Sequence, residues 1–162
     1  MPVKSLLSKS VEAMLNEAVQ AELSASNLYK HVANQLQRIG YFGAQKHFAA
    51  ESMGELEHYQ KLVDFMNDRG SSAKVPALEA MTDSIGSLAD AIDVAFQAEL
   101  DLERNYVRWY KGCDDPITCE FLLFFLQEQR KSVGEYGDLI ARLDRAGENE
   151  AAILMIDQEL GE

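Results

Sequence analysis

Four long stretches of the chain repeat apolar residues in alternating steps of three and four, the seam by which helices pack into bundles. The first runs from about Leu6 to Arg38 and stops at Gly40. Its inward face reads Val11, Leu15, Ala18, Glu22, Ala25, Tyr29, Val32 and Leu36. A short turn over Gly40 to Gly43 leads into a second helix ending near Arg69-Gly70, with the stripe Ala44, Phe48, Glu51, Glu55, His58, Leu62 and Phe65. The third spans about Ser87 to Lys111 and turns Leu88, Ile92, Ala95, Glu99, Leu102, Tyr106 and Trp109 inward. Gly112 and Pro116 bracket a tight turn. The fourth then carries Leu122, Leu126, Gln129, Val133, Tyr136, Ile140 and Leu143 and ends at Gly147.

The connections decide the topology. A turn as short as that at Gly40 makes the first two helices an antiparallel pair. Residues 71–86 are small, polar and proline-containing, without periodicity. Extended at ~3.3 Å per residue they reach ~50 Å, whereas a helix of about 27 residues is ~40 Å long. This segment can cross the whole length of a bundle. The pattern therefore predicts an all-α fold: one four-helix bundle over about 6–147 with a long crossover between helices two and three. A short fifth helix over about 148–160 completes a single domain of 162 residues. It is too short to join the bundle lengthwise, so Ile153, Leu154 and Ile156 need burial elsewhere, against other subunits.

Each seam is broken near its middle by polar residues. Mid-helix positions share one depth in a bundle, so Glu22, Glu55, His58, Glu99 and Gln129 should converge. Glu55 and His58 stand three apart and project from one face. Buried carboxylates repel one another and stay ionised only beside cations. No Lys or Arg occupies a seam position, so the cation must come from outside. Carboxylates with one imidazole suit Fe(II), Mn(II) or Zn(II), and one bridging carboxylate allows two ions. A single break reads as easily as a tolerated buried polar residue; it is the coincidence of all of them at one depth that argues for a site. Tyr29, two turns from Glu22 on the same face, is open to a packing role or a redox role. Tyr106, Trp109 and the run Phe121 to Leu126 read as packing, and Glu128, one position off the stripe, as solvent-facing. His31 and His47 have no Glu three residues earlier and read as surface or packing residues.

Composition narrows the class without choosing a function. A net charge of −12 with no basic cluster argues against nucleic acid as partner. Cys113 and Cys119 are too few for a disulfide framework or a thiolate zinc site. No apolar run approaches the ~20 residues of a membrane span. The N-terminus lacks a signal-peptide pattern, so a cytoplasmic setting is expected.

Taken in order, Ala21-Glu22-Leu23 with Tyr29, Glu55-x-x-His58, Glu99 and Glu128-Gln129 resemble the motifs of non-haem bacterial-type ferritins, and Asp157-Gln158-Glu159-Leu160 resembles their short fifth helix. Ferritin-like carboxylate bundles are themselves the known instance of a bundle with one long crossover, so that architecture is matched rather than deduced. Helix four offers Gln129 where related di-iron bundles have a second Glu-x-x-His. Leu56 stands where a haem-binding methionine would be, so no haem is expected.

The resemblance implies a ferroxidase centre that oxidises Fe(II) with dioxygen or peroxide, and a hollow 24-subunit homo-oligomeric cage storing ferric mineral. By position, Glu22, Glu55 and His58 would hold the first iron. Glu55 as bridge, with Glu99 and Gln129, would hold the second, and Tyr29 would supply an electron. A third iron site would be altered, since Gly54, Lys131 and Ser132 replace acidic residues of the family pattern. Glu51 and Glu128 remain as its candidates. The stretch Cys119, Glu120 and Leu123 is likewise less acidic than the family's threefold pore. Two other readings stay open: a small di-metal oxidase or peroxidase, and a metal-free structural bundle.

Overall fold

The computed structural model describes residues 3–162 and contains five helices: α1 (Lys9–Ile39), α2 (Phe42–Asp68), α3 (Leu88–Gly112), α4 (Pro116–Ala146) and α5 (Glu150–Leu160). The seams drive their packing. Every inward position anticipated on α1 and α3 is buried. On α2 the buried line runs Ala44, Phe48, Ser52, Glu55, Leu62 and Met66, which leaves Glu51, His58 and Phe65 half-buried at its edge. On α4, Phe125 takes the buried place expected for Leu126, and Val133 and Ile140 are half-buried. The apolar stripe of a packed helix is more than ~100° wide, so Ser52, Met66 and Phe125 can share the inward face with the neighbours that a strict alternation singles out.

Side-chain pairs fix the helix directions. Ser26 and Ser52 exchange hydrogen bonds between α1 and α2 at 2.8–3.0 Å. Tyr29 meets Glu99 and Tyr106 meets Glu22, so α1 and α3 run antiparallel. On α2 and α4, Phe65 stacks on Phe121 and Phe48 on Tyr136, again antiparallel. The connection from α2 to α3 travels along α1. Asn16 accepts from the Lys74 amide at 2.7 Å, and the Asp83 carbonyl lies 2.7 Å from His31 Nε2. Those anchors lie fifteen residues apart on α1, ~22 Å at 1.5 Å per residue. The segment is the long crossover.

Three boundaries shift from the sequence reading, each for a local reason. α1 starts at Lys9 rather than near Leu6, because Ser8 accepts from the Val11 amide and caps the helix. The turn before α2 is only Gly40-Tyr41, Gly40 taking the left-handed conformation (φ 91°) that closes α1. Gly43 therefore lies inside α2. A Cβ there would sit 1.8 Å from the carbonyl oxygen of Asp157, so this helix position admits only a glycine beside α5.

Ile153 and Ile156 of the fifth helix find cover within their own chain, which leaves Leu154 of the three expected residues exposed. The helix packs across the start of α2 and the end of α4, with Ile156 buried and Ile153 packed into the same core. Leu154 and Met155 remain exposed. α2 has no side-chain cap of its own. Asp157 supplies one from α5, accepting from the Ala44 amide at 2.7 Å and the Gly43 amide at 3.3 Å.

The apolar core falls into two parts. One joins Val32, Leu36, Phe48, Ile92 and Tyr136; the other joins Leu15, Leu62, Leu102, Tyr106 and Phe125. Between them lies a polar layer.

A candidate metal centre between the two halves of the core

Glu22, Glu55, Glu99 and Gln129 form that layer, each at most 5% exposed. His58 borders it from α2, ringed edge-on by Phe124 and Phe125. All four bundle helices contribute one or two of these residues. Ligand atoms of Glu22, Glu55 and His58 lie within 4.8 Å of one another. His58 Nδ1 is 3.0 Å from Glu55 Oε2 and 3.6 Å from Glu22 Oε2.

Glu99 and Gln129 lie on the far side of this triad and are bound to each other. Gln129 Nε2 donates to Glu99 Oε2 at 2.7 Å, and the Tyr29 phenol donates to Glu99 Oε1. Both Glu99 oxygens are thus engaged. Glu22 differs. Its Oε1 accepts from the Tyr106 phenol, while Oε2 is buried with no hydrogen-bond partner. His58 Nδ1 lies 3.6 Å from it, beyond hydrogen-bond reach, which leaves this oxygen with room for a ligand. That oxygen is what a cation would satisfy. The donor set of carboxylate oxygens and one imidazole fits Fe(II), Mn(II) or Zn(II).

Burial and mutual repulsion shape the protonation. Burial pushes the Glu55 carboxyl up to about 8, its neighbour Glu22 adding to the rise and His58 opposing it. Burial and Glu55 raise Glu99 to about 7, against the hydrogen bonds from Tyr29 and Gln129. Burial opposes a charge on His58, but Glu22 and Glu55 outweigh it and lift the imidazole to about 10. Burial and the adjacent carboxylates push the Tyr29 and Tyr106 phenols well above their ordinary value, so both act as donors. The layer thus favours the protonated forms of Glu55, His58 and Glu99, and a metal ligated by them competes with those protons.

The two remaining candidates lie apart from the triad. Glu51, one turn before Glu55, is half-buried and raised to about 7 by burial, Glu55 and Glu99. Glu128 is half-buried rather than solvent-facing, accepts from Lys131 at 2.9 Å, and does not belong to the Glu22, Glu55 and His58 cluster. His31 and His47 stay outside the layer, His47 with Tyr136 and His31 with the crossover.

Sequence reasoning assigned Tyr106 to packing and so missed its bond to Glu22. A signal was present: Tyr29 follows Glu22 by seven residues, and Tyr106 follows Glu99 by seven. On antiparallel α1 and α3 the repeated spacing sets each tyrosine opposite the other helix's glutamate.

Comparison with known proteins agrees with this architecture. The ferritin family model, described as a ferritin-like domain, matches residues 12–146. Over 157 residues the chain is 34% identical to a ferritin of Pacifastacus leniusculus, covering 90% of this chain and 84% of that protein. It is 26% identical over 160 residues to a probable bacterial non-heme ferritin-like protein of Haemophilus influenzae, covering 96% of each. A structure described as an open pore ferritin from Archaeoglobus fulgidus superposes with a TM-score of 0.93 at 25% identity, covering 96% of this chain and 97% of that one. The fold and the buried carboxylate layer define a ferritin-like bundle. The chain belongs to the ferritin family, with bacterial non-heme ferritins among its relatives. Among the described residues no helix is long and apolar enough to cross a membrane.

Proposed function

We propose that this chain is the subunit of an iron-storage ferritin, oxidising Fe(II) at the Glu22–Glu55–His58–Glu99 layer with dioxygen or peroxide. The ferric product is stored inside a homo-oligomeric cage of 24 subunits. The observation that carries the reading is the unpartnered Glu22 Oε2 beside Glu55 and His58.

In this reading Fe(II) is the substrate. Glu22 Oε2, Glu55 and His58 Nδ1 take the first ion once His58 and Glu55 release their protons. Glu55 bridges to a second ion held with Glu99, and Gln129 steadies Glu99 from α4. The second position fills later, because Glu99 must first loosen the hydrogen bonds to Gln129 and Tyr29. Two Fe(II) ions give up one electron each and together reduce dioxygen to peroxide, or peroxide to water. Carboxylates neutralise the added charge of the ferric products. Tyr29, hydrogen-bonded to Glu99, supplies a further electron on demand. Glu51 and Glu128 remain as accessory carboxylates, Glu128 paired with Lys131 while no metal is bound.

The test is anaerobic Fe(II) titration followed by air, read as ferric-oxo absorbance, with particle size measured in parallel. Two irons oxidised rapidly per subunit, in a particle near 24 subunits, with the fast phase lost in Glu55→Ala, is the expected result. Rapid oxidation in a monomer or dimer would make the protein a di-metal oxidase or peroxidase. Absence of a fast phase would leave a structural bundle.

A further inference from the structure

The proposed centre touches two tyrosines, and their surroundings differ. The ring packed on Tyr29 is Phe48, with centroids 5.7 Å apart, and a phenyl ring gives up an electron far less readily than a phenol. Tyr106 likewise packs on a phenyl ring, Phe125 at 4.9 Å, but it has an indole neighbour as well. Trp109, one helical turn further along α3, meets it edge-on with centroids 5.0 Å apart and planes at 88°. The indole Nε1 donates to Glu17 Oε2 at 3.0 Å. Glu17 is exposed, and with Trp109, Met14, Arg108 and Cys113 it lines a surface groove of about 390 Å³. Two oxidisable rings thus touch each other, and each donates to its own carboxylate: Tyr106 to Glu22 and Trp109 to Glu17.

We infer that Tyr106 and Trp109 form a relay carrying electrons from this groove to the buried centre. The inference rests on the ferroxidase reading above. It meets a need of that chemistry. When only one iron position is filled, peroxide receives one electron from Fe(II) and retains one oxidising equivalent. Tyr106 supplies the missing electron, and its phenolic proton moves to Glu22 Oε1, leaving a neutral phenoxyl radical. The two electrons, one from Fe(II) and one from Tyr106, with two protons from solvent reduce peroxide to two waters. Trp109 then passes an electron to the phenoxyl, which recovers its proton from Glu22.

The indole in turn loses its Nε1 proton to Glu17. The Arg108 guanidinium, 5.6 Å above the Trp109 ring, disfavours a positively charged indole, so the proton must leave with the electron. A small one-electron reductant in the groove, ascorbate for instance, refills Trp109, and the proton returns from Glu17. One external electron has reduced the oxidant by one equivalent, and both carboxylates end as they began.

The experiment adds peroxide anaerobically to protein loaded with one Fe(II) per subunit, in a Tyr29→Phe background, with and without ascorbate. Rapid-freeze electron paramagnetic resonance follows the radicals, and absorbance follows iron oxidation in the same samples. A tyrosyl radical should form and decay several-fold faster with ascorbate. Tyr106→Phe should abolish it, and Trp109→Phe should preserve it while removing the acceleration by ascorbate. Glu17→Gln, a surface change that leaves the core intact, should weaken that acceleration. Zn(II) binding and thermal unfolding report whether each variant is folded. A radical indifferent to Tyr106→Phe overturns the relay, as does acceleration unchanged in both Trp109→Phe and Glu17→Gln. Iron oxidised normally with no radical also sinks the relay alone, whereas no iron oxidation in the parent protein sinks the ferroxidase reading.

Discussion

Tyr106 on α3 donates its phenolic proton to Glu22 Oε1 on α1, and this one bond decides which oxygen of Glu22 faces the centre. Tyr29 makes the reciprocal bond from α1 to Glu99 on α3. The two ends of the layer nevertheless differ. Glu99 also accepts from Gln129, so neither of its oxygens is free, whereas Glu22 Oε2 makes no hydrogen bond, His58 Nδ1 lying 3.6 Å away. One side is poised to receive a cation; the other must first give something up.

Metal occupancy should therefore be sequential. Titrated with Co(II) under argon, the protein should show one tight and one weaker site. His58→Ala should abolish the tight site. Gln129→Leu should leave Glu99 Oε2 unpaired and lower the stability of the metal-free protein by ~1–3 kcal/mol in denaturant unfolding. Saturating metal should shrink that loss, since Glu99 then has a new partner. A loss of equal size with and without metal would contradict the assignment of Glu99 to the second ion.

Protonation gives the metal-free protein a definite pH trend. Glu55 rises from 4.5 to about 8 by burial, and His58 from 6.5 to about 10 through Glu22 and Glu55 against burial. Both groups bind protons more tightly folded than unfolded. Each stabilises the fold most at low pH, and the contribution is lost as pH climbs through the folded value. The unfolding temperature of the metal-free protein should consequently fall from weakly acid to alkaline pH. Glu55→Gln should flatten the part between 4.5 and about 8.

Metal binding should release protons by the same logic. His58 and Glu55 together hold protons more tightly in the fold than when free, so the first Zn(II) should displace at least one proton from this pair near neutrality. Calorimetry in buffers of different ionisation enthalpy measures the number. It should decline as pH approaches 10. A value near zero at neutral pH would mean that these two residues do not ligate.

Asp157 ties the fifth helix to the second. Asp157→Ala removes the acceptor for the Gly43 and Ala44 amides and should cost ~0.5–2 kcal/mol, the usual worth of an N-terminal cap. Hydrogen exchange should speed up in α5 and the first turn of α2, and not in the buried layer. Asp157→Asn, which keeps an acceptor oxygen, should recover most of the stability.

Gly43→Ala probes the same junction by volume. The added methyl would lie 1.8 Å from the Asp157 carbonyl oxygen, too close for either backbone to remain in place. α5 should detach, with exchange in residues 150–160 approaching that of an unprotected segment. Gly40→Ala would act differently: no atom lies within 4 Å, and its penalty would come from the φ of 91° alone.

The seam positions of α1 and α3 were legible because each of these helices buries one continuous stripe, and a periodic stripe shows in the sequence. Positions on α2 and α4 slipped by one residue at Glu51/Ser52, Phe65/Met66 and Leu126/Phe125. The slip does not touch Glu55 or Gln129, both of which are buried in the layer as their seams place them. The convergence of Glu22, Glu55, His58 and Glu99 could accordingly be read from depth alone. Tyr106 could not be separated from a packing tyrosine, because its role depends on a partner 84 positions away in the chain.

By itself the sequence determined the local terms: helix lengths from uninterrupted periodicity, stops at Gly40 and Gly147, a crossover long enough to span the bundle, and which seam positions are polar. Those follow from residue chemistry within a few turns. Only the tertiary structure decided that α5 folds back onto α2, since Gly43, Asp157 and Gly161 fit one another across more than a hundred residues of chain. It also decided which carboxylate oxygens are occupied and which one waits for a cation. Hydrogen-bond partnership is a property of geometry at the scale of an ångström, and no spacing along a helix records it.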